Sequence, residues 1–226
     1  MRPRVPLKVG GACAIVGAVG IFAGNFLHPF LPPDRVTMLG IVASHASWPA
    51  LHLPTMFFAV AILLGLVTLA DSLVDDEGAA WAGAGQVVAQ VGVPIMLVGV
   101  AIDGFAFTSL ADAWRAASPT EQTAILQAAD ALVFAETGIM HTWVSFFLGL
   151  SVLLYGLAVV QSNRYWGPVG WLGVLGGMGC LFSGVAGFLR LPFRPPFPVF
   201  GMLVLAWMLA MGVLMVRGAP VGDAAT

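Results

Sequence analysis

Apolar stretches of about twenty residues recur along the whole chain, and this recurrence limits the fold more than any other feature. In hydrocarbon the backbone must satisfy its own hydrogen bonds, which leaves helices or a closed barrel. The apolar runs are continuous and do not alternate with polar residues, which excludes the barrel. With 59% hydrophobic residues and a mean hydropathy of +0.96, the chain carries more apolar surface than a soluble fold could cover. The fold class is therefore an all-α polytopic membrane bundle.

Six spans are predicted at 9–28, 48–70, 81–107, 136–160, 167–189 and 198–216, in one transmembrane domain over residues 1–226. Residues 36–46 are too few to cross and suit a re-entrant or interfacial turn. Ser118-Pro119-Thr120-Glu121 predicts a helix start with a capping box, and residues 119–134 an amphipathic helix leading into the fourth span. Arg2, Arg4 and Lys8 precede the first span, no clear small-x-small cleavage site follows before His28, and the apolar run continues to Phe26, so that span is expected to be retained. Basic residues favour the N-terminal side, with Arg2, Arg4, Lys8, Arg164 and Arg217 against Arg35, Arg115, Arg190 and Arg194. The expectation is an inner-membrane protein with both termini cytoplasmic. Gly20/Gly24, Gly173/Gly177 and the run Gly167, Gly170, Gly173, Gly176 predict close helix packing. Self-association through these glycine-rich helices is a further option. Cys13 and Cys180 are isolated and read as packing residues.

Asp103 lies inside the apolar run Val91–Phe107, where an ionisable group costs roughly 2.5–3.5 kcal/mol and marks a functional site. Only 9% of the residues are charged, so its presence is informative. Projected onto the six spans, His28, His45, His52, Asp103, Glu136 and His141 all fall at the end away from the termini. All four histidines of the chain are in that set. The net charge of -2 and the lack of a basic patch exclude nucleic acid as a partner. The expected partners are membrane lipid and a small hydrophobic substrate. No HExxH, CxxC, GxSxG or dinucleotide fingerprint is present.

Several stretches resemble a group of small, uncharacterised bacterial multi-pass membrane proteins. They are Leu27-His28-Pro29, Trp48 through His52, Ala101-Ile102-Asp103-Gly104, Asp112-Ala113-Trp114, Ala135-Glu136 and the run from Trp166 to Gly173. That resemblance covers most of the chain and implies no activity. The architecture is also loosely similar to compact membrane-bound terpene cyclases, with no motif residue in common.

Three readings compete. The first is an intramembrane cyclase or isomerase acting on an isoprenoid or lipid by acid catalysis, with no cofactor and no metal. Burial keeps a carboxyl protonated, and aromatic faces stabilise a carbocation. Asp103, Glu136 and His141 are the expected catalytic residues, and Trp48, His52, Phe105, Phe107 and Trp143 the expected substrate wall. Phe57 and Phe134 could extend that wall. The second is a haem or divalent-metal protein, with His52 and His141 as the best pair and His28, Asp103 or Glu136 as added ligands. The third is a non-catalytic membrane subunit.

Overall fold

The computed structural model describes residues 5–193 and 195–218; Arg2, Arg4 and Arg194, used above for orientation, lie outside the described residues. Seven helices account for nearly all of this length. They are α1 (Leu7–Leu27), α2 (Arg35–Ser44), α3 (Trp48–Ser72), α4 (Ala79–Ala116), α5 (Pro119–Gln161), α6 (Gly167–Phe188) and α7 (Phe197–Arg217). All but α2 are long and apolar enough to cross a membrane, so the chain is a multi-pass membrane protein.

The six long helices close into a ring. α1 packs on α3, α3 on α4, α4 on α5, α5 on α6, α6 on α7, and α7 returns to α1. Glycine makes the close contacts. A Cβ on Gly11 would meet the Gly212 carbonyl of α7 at 2.6 Å, and one on Gly17 the Phe58 carbonyl of α3 at 2.7 Å. Gly173 lies against Trp207 and Gly177 against the backbone of Leu153, so both serve packing within this chain. At the ring's centre Tyr155 and Trp207 are fully buried, and the Tyr155 hydroxyl donates to the Leu66 carbonyl at 2.8 Å.

Two helices exceed what a bilayer needs. At 1.5 Å per residue, α4 is about 57 Å long and α5 about 64 Å, against a hydrocarbon core of ~30 Å. The third and fourth spans thus run past their expected ends at 107 and 136. The expected amphipathic helix is the outer part of α5, continuous with the span. The sequence explains this, because no glycine or proline interrupts 105–118 or 120–137. The turn between the two helices carries the predicted capping box. Ser118 donates its backbone N–H (2.8 Å) and its hydroxyl (2.6 Å) to Glu121 Oε2.

Most of residues 36–46, expected as a re-entrant or interfacial turn, belongs to the short helix α2. Asp34 caps it, accepting from Thr37 N at 2.8 Å, and the Thr37 bonds hold the Asp34 carboxyl below the usual carboxylate range. α2 lies on the projecting parts of α4 and α5, and Met38, Leu39, Val42, Trp48, Phe107, Ala111 and Ala129 form a second core there. Arg35 Nε donates to Asp130 Oδ1 at 2.8 Å and ties α2 to α5. A helical cap therefore covers the bundle at the end away from the termini.

α6 ends in a Schellman turn, with Leu191 N–H bonded to the Ala186 carbonyl at 2.8 Å. The left-handed position is occupied by Arg190 (φ 53°), where glycine is the usual residue. Arg190→Gly should raise stability by about 0.5–1 kcal/mol, because glycine carries no Cβ penalty there. Thermal unfolding in detergent checks this, and a lower midpoint would refute it.

Candidate metal centre

The site begins with a break in a helix. At residues Ile102–Ala106 α4 widens into a π-turn, and Asp103 sits within it. Such bulges collect at functional sites. The Asp103 carbonyl accepts the indole N–H of Trp48 at 2.9 Å, which fixes the start of α3 against α4. Trp48 is fully buried and packs edge-on to His28 (ring centroids 4.7 Å apart) and tilted against His52 (5.2 Å). Gly104 supplies the remaining room, since a Cβ there would overlap the Cβ of His52.

His28 and His52 then converge on one carboxylate oxygen. His28 Nε2 lies 3.4 Å and His52 Nε2 3.2 Å from Asp103 Oδ2. Both rings are fixed from behind. His28 Nδ1 is 2.8 Å from the Pro29 carbonyl, and His52 Nδ1 is 2.7 Å from the Trp48 carbonyl. A carbonyl oxygen only accepts, so each Nδ1 must carry a proton. In neutral rings that leaves both Nε2 atoms as bare lone pairs aimed at an anionic oxygen. Acceptor facing acceptor is repulsive unless a cation lies among them.

A proton on the imidazoles or a metal ion would supply that cation, and the distances favour the metal. Imidazolium–carboxylate hydrogen bonds are about 2.7–2.9 Å long, shorter than the contacts here. His28 Nε2, His52 Nε2 and Asp103 Oδ1 are all buried with no hydrogen-bond partner. Ligand atoms about 2.0–2.1 Å from a tetrahedral zinc ion stand about 3.3 Å from one another. The observed spacing matches that edge, and the ligand atoms of the three residues all lie within 4.8 Å. The Nδ1–carbonyl bonds are the outer-shell contacts that orient metal-bound histidines.

The other expected site residues divide around this trio. Glu136 is half-buried and lies within electrostatic range of Asp103 and His28, but it is not a member of the ligand group. His141 packs its ring on Gly187 of α6 and is also outside the group. Trp143 is partly buried, with Nε1 3.7 Å from where a Gly99 Cβ would stand. Phe107 is buried in the cap core and does not line an aromatic wall. Phe105 is 75% exposed, and Phe57 and Phe134 are also exposed, so these three do not enclose a carbocation pocket. His45 is exposed and bonds the Ile41 carbonyl at 2.8 Å. The preferred sequence reading had no metal, and the metal alternative put His52 and His141 first, with His28, Asp103 or Glu136 as added ligands.

A separate cavity of ≈ 520 Å³ lies at the opposite end, lined among others by Asp71, Asp75, Asp76 and Arg164. Much of its polar lining is already engaged. Asp76 accepts from Ser162 at 3.0 Å, Arg164 donates to the Ser72 carbonyl at 3.0 Å, and Ser72 bonds Tyr165 at 2.9 Å. These contacts lock two loops together.

No protein-family model, curated protein or solved structure matches the chain, and its resemblances bring no activity to it. The fold and the trio together define a class: a multi-pass helical membrane protein with a two-histidine, one-carboxylate cluster under a helical cap.

Proposed function

We propose that the protein is a membrane metalloprotein that holds one divalent ion, zinc foremost, between His28, His52 and Asp103. The supporting observation is the pair of Nδ1–carbonyl bonds, which leaves two bare Nε2 atoms facing one carboxylate. Three protein ligands leave a coordination position for water or substrate, the arrangement of a catalytic ion; structural zinc sites have four protein ligands. If the termini are cytoplasmic, the centre faces the other side of the inner membrane, and a reporter fused at the C-terminus tests that orientation.

Protein purified in detergent, stripped with chelator and dialysed against zinc should retain about one ion per chain. His28→Ala and His52→Ala should each lose it, and His45→Ala should keep it. Elemental analysis reads the result. Wild type as empty as the His28/His52 double variant overturns the proposal.

A second reading keeps the acid catalysis of an isoprenoid or lipid and moves it to Glu136. Asp103 is engaged by two imidazoles, whereas Glu136 forms no hydrogen bond among the described residues. This reading gains ground only if the wild type holds no metal. Haem between His52 and His141 has less support, because His52 Nε2 is turned to Asp103.

A further inference from the structure

The height of the cluster in the bundle narrows its chemistry. Asp103 lies 24 residues beyond the start of α4, and Glu136 lies 25 residues before the end of α5. At 1.5 Å per residue these are about 36 and 38 Å from the terminal end of the bundle. His28 and His52, counted along α1 and α3, lie about 30–32 Å from it. The hydrocarbon core is ~30 Å thick, and headgroups extend the bilayer to about 40–45 Å. With the terminal helix ends at one face of the hydrocarbon, the centre stands where acyl chains join their headgroups at the other.

At that height the bundle is only partly covered along α5. Along α5 no residue from 130 to 143 is buried, although the helix is flanked there by α4 and α6. The side chains of Asp103 and His28 keep 22% and 28% exposure, while His52 behind them keeps 8%. Three exposed phenylalanines stand at the same height as the polar residues. Phe30 follows His28, Phe105 follows Asp103, and Phe134 precedes Glu136. A polar centre at the height of exposed aromatic surface, near the headgroup boundary, suits a molecule with both characters.

Resting on the metal reading above, we infer that the centre hydrolyses the acyl linkage, ester or amide, of a membrane lipid, with Glu136 carrying the proton. A water at the open position gives one proton to Glu136 and adds through its oxygen to the acyl carbon. The C=O π pair moves onto the carbonyl oxygen, whose charge a bound ion would stabilise. Collapse of that intermediate re-forms the carbonyl and breaks the bond to the leaving oxygen or nitrogen, which takes the proton from Glu136. The products are a fatty acid and an alcohol or amine, with no net oxidation.

The test uses the full chain, zinc-loaded and reconstituted into phosphatidylcholine vesicles. These carry either a fluorescent-acyl phosphatidylcholine, as the ester probe, or a fluorescent-acyl ceramide, as the amide probe. Labelled fatty acid should be released from at least one probe, and chelator should stop it. Glu136→Gln should keep its zinc and lose activity by about 10²–10⁴-fold. Zinc measured on the same samples separates the two readings. A chain that holds zinc and releases fatty acid from neither probe, above the level of His52→Ala, overturns the hydrolysis and leaves the metal site standing. A chain without zinc overturns both. Glu136→Gln as active as wild type removes Glu136 from the mechanism.

Discussion

Asp103→Asn should empty the metal centre while leaving the bundle folded. The substitution preserves shape and removes the anion on which both imidazoles converge. Loss of a group that only orients a ligand costs about 10–100-fold in metal affinity. Loss of a ligand should exceed that, so a drop of at least about a hundredfold is expected. The Trp48 indole bonds the Asp103 backbone carbonyl, so the contact between α3 and α4 survives the change. Competition with a chelator of known zinc affinity measures the effect, and helical circular dichroism confirms folding. Zinc affinity equal to wild type would mean that Asp103 is not a ligand.

Gly104→Ala should damage the same centre without touching a ligand. The added methyl would overlap the Cβ and ring of His52, which is buried and bonded to the Trp48 carbonyl and cannot step aside freely. Overpacking of this kind costs about 1–3 kcal/mol. Here much of it should appear as displacement of His52, with zinc affinity down at least about tenfold. Gly138→Ala is the control, because its Cβ meets nothing and alanine is the better helix former. Gly104→Ala should thus lose zinc where Gly138→Ala keeps it. Equal retention in both variants would detach His52 from the site.

The spans were legible because their signal is one-dimensional: apolar runs need no partner to be recognised. Asp103 was legible for a related reason, as a charge among apolar residues. The capping box at Ser118 and Glu121 was legible because it is local. The ligand set was less so, since it joins α1, α3 and α4 through contacts between distant residues. Depth alone ranked His141 with His52, yet depth says nothing about which way a helix face is turned. Phe105 shows the same limit. It follows Asp103 by two positions, which turns it to nearly the opposite side of the helix, and it stands 75% exposed there. The length of α5 was hidden because the outer half is polar enough to look like a separate element.

The π-turn at Ile102–Ala106 also bears on how such a protein can change over time. A π-turn takes up one residue more than the α-helical ladder needs. In an unbroken α-helix an extra residue would swing everything beyond it by about 100°. In α4 the turn absorbs it, so the membrane part, with Val93 and Met96 inward, and the cap part, with Phe107 and Ala111 against α2, keep separate registers. The joint between those registers is where Asp103 stands. Loss of one codon there would leave two well-formed helical segments, but it would rotate one against the other and part the carboxylate from its histidines. Cap and span can each drift in sequence on their own, while the joint is held both in its length and in the two residues, Asp103 and Gly104, that build the centre.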